Sequence, residues 1–152
     1  MRRPFAVGLV VAGVALGAAT ASARPAAAPT VKITYPSHCA CGIVAPQSST
    51  VSVIAAVTNF KLSAKDYGKA AVPGEGHLGF SLDHGKFDQP AYSGANGRLA
   101  VKSGTAGKFS PSVTTKITYK NLPTGDHVLV VYLVSNNNKT LGPSDTVKFT
   151  VQ

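Results

Sequence analysis

One feature decides the fold class: apolar and polar residues alternate with a period of two, in segment after segment. HLGFSLD (His77 to Asp83) places Leu78, Phe80 and Leu82 on one face and His77, Gly79, Ser81 and Asp83 on the other. VTTKITYK (Val113 to Lys120) turns Val, Thr, Ile and Tyr inward and Thr, Lys, Thr and Lys outward. DTVKFTV (Asp145 to Val151) does the same with Val147, Phe149 and Val151. VKITY (Val31 to Tyr35) is closed by Pro36, and STVSVIAAVTNF (Ser49 to Phe60) carries Val51, Val53, Ala55 and Val57 on one face. Successive side chains of a strand point to opposite faces, so these segments predict antiparallel strands with one wet face.

HVLVVYLV (His127 to Val134) is apolar on both faces, as suits a central strand. Past the N-terminal region no helical stripe is visible, because Gly and Pro interrupt every long window. Between Gly85 and Pro111 the chain is rich in Gly, Ser and Asn, and LAVK (Leu99 to Lys102) is a short strand candidate. About seven short strands separated by turn residues predict a β-sandwich. No internal repeat is present.

The N-terminus sets the compartment. Arg2 and Arg3 precede an uncharged apolar stretch, FAVGLVVAGVALGAA (Phe5 to Ala19), and ASA at Ala21 to Ala23 has the small-x-small form of a cleavage site. The stretch is shorter than the roughly 20 apolar residues of a membrane span. Residues 1–23 are therefore expected to be a signal peptide cleaved near Ala23, and RPAAAPT (24–30) a Pro/Ala linker. Residues 31–152 form the domain, exported to the periplasm or beyond. No transmembrane span is expected in the mature chain.

The formal net charge is +9, from 15 Lys and Arg against six Asp and Glu. A basic exported protein is drawn to anionic surfaces, and an anionic cell-envelope surface or another protein is the expected partner. Nucleic acid is disfavoured: the lysines are scattered singly, there is no Arg cluster, and the chain has no Trp.

Two motifs sharpen the fold. NLPTGDHVLVVYL (Asn121 to Leu133) joins two strands through a tight Pro-Thr-Gly corner and resembles the corner before the central strand of bacterial immunoglobulin-like and fibronectin type III-like domains. ITYP, VSV…VTNF, GEGHLGFSLD, LPTGDH and VKFTV together resemble a family of small exported bacterial immunoglobulin-like proteins. That resemblance covers Val31 to Val151 and implies an all-β, immunoglobulin-like antiparallel β-sandwich. Members of the family often read G-H-L-H-V-x-L-D at the third strand. Here Gly79 stands where the second His would be, so His77 lacks an i+2 partner for a metal.

Catalytic constellations are missing from the pattern. No G-x-S-x-G elbow surrounds a serine, the acids are not paired as in a glycosidase, and no Gly-rich phosphate loop links a strand to a helix. Asp83-His84-Gly85 reads as a strand end and turn, and NNNKT (Asn136 to Thr140), although a formal sequon, as a polar hairpin loop. The expected function is a secreted non-catalytic binding or surface-interaction module, not an enzyme.

HCACG (His38 to Gly42) holds both cysteines, Cys39 and Cys41. An oxidising compartment favours a disulfide between them, although the C-x-C ring is cramped. The alternative is a copper or zinc site, since Cys and His suit soft and borderline metals. An intermolecular bridge or free thiols remain behind both. In a sandwich this segment joins the first two strands, and one pole would collect His38, Cys39, Cys41, Asp83, His84 and His127. His77, with Glu75, would lie at the other pole, near the NNNK loop. No cofactor is expected beyond that copper or zinc alternative.

Overall fold

A computed structural model of the chain describes residues 27–37, 50–85, 94–105 and 110–152. Among them are eight strands: β1 (Thr30–Tyr35), β2 (Thr50–Thr58), β3 (Lys61–Leu62), β4 (Glu75–Leu82), β5 (Ser110–Ser112), β6 (Lys116–Lys120), β7 (Gly125–Ser135) and β8 (Thr140–Val151). One helix, α1 (Gly94–Ser103), lies between β4 and β5. A three-stranded sheet has the order β1-β2-β6, and the second sheet runs β4-β7-β8. β3 and β5 both pair with β4. Since β7 holds the other side of β4 from Gly76 to Leu82, these two short strands share one edge. Every pairing is antiparallel except β3 with β4.

The first, second and sixth strands thus form one layer, and the fourth, seventh and eighth the other. That distribution of strands is an immunoglobulin-like antiparallel sandwich. The alternating residues of both layers meet between them. Val53 and Tyr119 from the smaller sheet, and Phe80, Leu82, Leu129 and Val131 from the larger, are all buried. β7, apolar on both faces in sequence, turns Leu129, Val131 and Leu133 to the core, while Val128, Val130 and Tyr132 are half-buried on the outside. Lys116, Lys120 and Lys148 are exposed, so the register follows the period-two pattern.

Two corners and a hairpin fix the connections. Between β6 and β7, Asn121 (φ 55) and Gly125 (φ 127) bracket the turn, and Leu122 plugs it into the core. Asn136 to Lys139 link β7 to β8, with the Ser135 N–H bonded to the Lys139 carbonyl at 2.8 Å.

Two sequence expectations are corrected. LAVK is not a strand: Leu99 to Lys102 belong to α1. Its apolar residues Leu99, Ala100 and Val101 are consecutive and wrap the helix, so they make no stripe. Ala100 is buried while Val101 is 62% exposed. The helix is closed at its C-terminus by Gly104 (φ 66). The Gly104 N–H reaches the Val101 carbonyl at 3.2 Å and the Thr105 N–H the Ala100 carbonyl at 3.1 Å, the pairing of a Schellman cap. The second correction concerns β4, whose outer face was expected to be wet. His77 is fully buried there, because the segment after β3 folds over it and Tyr67 packs against the imidazole at 4.6 Å. The Tyr67 hydroxyl in turn donates to the Leu99 carbonyl of α1 at 3.3 Å. Among the described residues no helix is long and apolar enough to cross a membrane.

Candidate functional site

His38, Cys39 and Cys41 lie outside the described residues. The structure does bring Asp83 and His127 together, at the end of β4 and the start of β7. Asp83 Oδ2 lies 2.7 Å from His127 Nδ1, and Asp83 Oδ1 accepts the Val128 N–H at 2.8 Å. The other ring nitrogen, Nε2, lies 2.9 Å from the Pro123 carbonyl. Each ring nitrogen is thus occupied by an oxygen partner, and a metal at this histidine would have to displace one of them.

This arrangement is a corner lock. In immunoglobulin-like sandwiches a Tyr near the start of the equivalent strand bonds back to backbone a few residues upstream. Here His127 reaches back to Pro123 and packs its ring against Phe149 at 5.4 Å. Asp83 (φ 48), His84 (φ 60) and Gly85 (φ 87) are successively left-handed. That backbone costs a non-glycine residue about 1–2 kcal/mol, which the two hydrogen bonds to Asp83 offset. His84 itself is exposed. Among the described residues no group of three or more His, Cys, Asp or Glu converges as a metal site would require.

At the far end of the same sheet, His77 stands opposite Val134 in the β4–β7 register. Glu75, one turn of alternation away, is ion-paired to Lys61 at 2.9 Å. Burial pushes the His77 imidazole down to about 4, so the ring is neutral across the physiological range. Gly79 is closely overlain by a neighbouring ring. A Cβ there would lie 2.5 Å from Cε2 of Tyr132, whose ring occupies the space above the glycine. A side chain at position 79 would require that ring to move.

The surface that the sequence reading missed is the outer face of β1-β2-β6. Strand alternation would send Tyr35 inward after Val31 and Ile33. Instead the register shifts between Ile33 and Tyr35: Ile33 faces Ala55, but Tyr35 faces Ile54. The extra residue is Thr34, whose hydroxyl donates to the Ile54 carbonyl at 3.1 Å. This β-bulge re-aims the aromatic ring to the outer face. Tyr35 is 44% exposed and Ile54 39%. Ile54 pairs on its other side with Lys116, so Tyr35, Ile54 and Lys116 form one row across the three strands.

Lys32 and Lys120 flank this row, and Ser52 and Thr118 place hydroxyls beside it, 3.4 Å apart. Among the described residues no carboxylate shares the face. All five described acids are engaged elsewhere: Glu75 with Lys61, Asp66 with Lys69 at 3.1 Å, and Asp83 at the corner lock. Asp126 accepts from Thr150 at 2.6 Å, and Asp145 bridges the sheets by accepting the Ile33 N–H at 2.7 Å. The smaller sheet therefore presents a positive, hydroxyl-rich surface with one aromatic ring on it.

No family model matches the chain, and no curated protein matches it by sequence. Among solved structures it is similar to the fibronectin(III)-like modules of Clostridium thermocellum CbhA. The identity is 14%, over 81% of this chain and 96% of that chain, with a TM-score of 0.43. The strand order described above carries the fold assignment.

Proposed function

We propose that the protein is a secreted, non-catalytic binding module that engages an anionic surface of the cell envelope through the outer face of β1-β2-β6. The observation that carries this reading is the separation of charge. Every described carboxylate is tied into the fold, while Lys32, Lys116 and Lys120 face solvent on one sheet without an acidic partner among the described residues.

Magnitudes limit what this face does. Lys116 and Lys120 are four residues apart on one strand, roughly 13 Å by strand rise, which exceeds the Debye length of about 8 Å at physiological salt. They therefore meet an anionic partner almost independently. An exposed ion pair contributes about 0–1 kcal/mol, so three lysines supply at most about 3 kcal/mol. That corresponds to binding weaker than about 1 mM for one isolated contact set. Such a surface suits a repeating, multivalent partner, on which many weak contacts add, better than a small soluble anion.

Two charge-reversed proteins test the reading. Lys32→Glu, Lys116→Glu and Lys120→Glu together should abolish salt-sensitive retention on beads coated with anionic polymer. Lys65→Glu, Lys139→Glu and Lys148→Glu change the net charge equally but lie off the face, and should leave most retention in place. Equal loss in both would show that net charge alone is responsible and would refute the assignment to this face.

A further inference from the structure

We infer that the Tyr35–Ile54–Lys116 row is a stacking platform for an acidic polysaccharide. This inference rests on the reading of the basic face above and names its partner. Three observations converge on it. First, the β-bulge at Thr34 places the Tyr35 ring outward, level with Ile54 and on the same face. A sugar ring offers an apolar C–H face with a rim of hydroxyls, and a tyrosine lying beside an isoleucine is complementary to both, with an apolar body and a polar tip. Second, hydroxyls lie beside the row: Thr34, whose proton goes to the Ile54 carbonyl, can accept, and the Ser52–Thr118 pair can both donate and accept. A polyol needs that two-way hydrogen bonding, whereas a bare phosphate takes donors alone. Third, the lysines are sparse, and among the described residues the face has no arginine.

Spacing separates this partner from other polyanions. Neighbouring strands lie about 4.8 Å apart, so the row from Tyr35 to Lys116 spans roughly 10 Å. A carboxylate attached to a sugar stacked on or next to Tyr35 can reach Lys116 or Lys32 across that distance. A nucleic acid or polyphosphate carries charge far more densely than these lysines can match. A lipid surface calls for a wider apolar footprint than one half-exposed isoleucine and one half-exposed tyrosine.

The test is calorimetry with the purified exported protein and four probes. These are polygalacturonate, uncharged amylose, inorganic polyphosphate, and vesicles of mixed phosphatidylcholine and phosphatidylglycerol. Polygalacturonate is expected to bind most tightly. Tyr35→Ala should weaken it about tenfold, as loss of an aromatic anchor does, while Tyr35→Phe retains most of the affinity. Lys116→Gln should weaken it severalfold, and Lys148→Gln, on the other sheet, should not. Thermal unfolding of each variant establishes that it is folded. A folded Tyr35→Ala protein that binds polygalacturonate like the wild type overturns the inference. So does tighter binding of polyphosphate or of the vesicles, although either leaves the basic-face reading standing. Failure of the wild type to bind any of the three anionic probes overturns both.

Discussion

Acidification should destabilise this protein through His77, by an amount the structure sets. The ring is fully buried on the outer face of β4, against Tyr67 at 4.6 Å, and burial holds it down to about 4 from an ordinary value of 6.5. In the unfolded chain it titrates at the ordinary value. Between pH 6.5 and about 4 the unfolded state therefore binds a proton that the folded state refuses. Stability is thus intact above 6.5, falls as pH drops through that window, and levels off for this group below about 4. Each pH unit of the window is worth about 1.4 kcal/mol, so its whole width removes on the order of 3 kcal/mol. That is a large part of the 5–15 kcal/mol typical of a domain. The assay is urea denaturation across the window for wild type and His77→Phe, which keeps an aromatic ring but has no group that titrates there. Subtracting the two curves cancels the carboxylates and leaves the His77 contribution. A His77→Phe protein with the same pH slope as wild type would refute the reasoning, as would an NMR titration placing His77 near 6.5.

Three further outcomes are expected. Asp83→Ala removes the acceptor of the buried Val128 N–H and the partner of His127 Nδ1 together. It should cost about 1–3 kcal/mol in chemical denaturation. Gly76→Ala should be far more damaging than Gly79→Ala, because its Cβ meets the Val134 carbonyl oxygen, whereas at Gly79 the obstacle is the Tyr132 ring, which can swing. On the scale of overpacked cores, the milder change should cost about 1–3 kcal/mol, and it should become nearly neutral in a Tyr132→Ala background. Cys39 and Cys41 are expected to be paired, so the purified chain should show no free thiol and an intact mass two hydrogens below the reduced value. Free thiols with stoichiometric copper or zinc would reverse that expectation.

The legible and illegible parts of this fold differ in what holds them. Strands such as β2, β6 and the C-terminal half of β8 bury one residue in two, and Val53, Tyr119 and Phe149 announce that in the period of the sequence. β7 was legible as central but not in orientation, since Val128 and Leu129 are equally apolar and only packing chooses between them. α1 escaped because its burial rests on Ala100 and a cap at Gly104, neither of which creates a periodic stripe. The alternation of β4 sends His77 to the outer face, and nothing in a strand's own pattern tells whether another segment, here the one with Tyr67, covers that face. Tyr35 was illegible for the opposite reason. Alternation sends it inward, and a one-residue bulge, unmarked by any Gly or Pro within β1, turns it out. The corner histidine was placed by topology near Asp83, yet its bond to Pro123 depends on a tight turn whose closure the sequence does not specify.

The most direct test of the account is a map of where the partner touches. Amide chemical shifts of the purified protein should be followed by NMR as polygalacturonate is added. The account predicts that the perturbed residues fall in Thr30–Tyr35, Thr50–Thr58 and Lys116–Lys120, centred on Tyr35, Ile54 and Lys116. Perturbations gathered instead on β7 and β8, or around the Asp83–His127 corner, would contradict it.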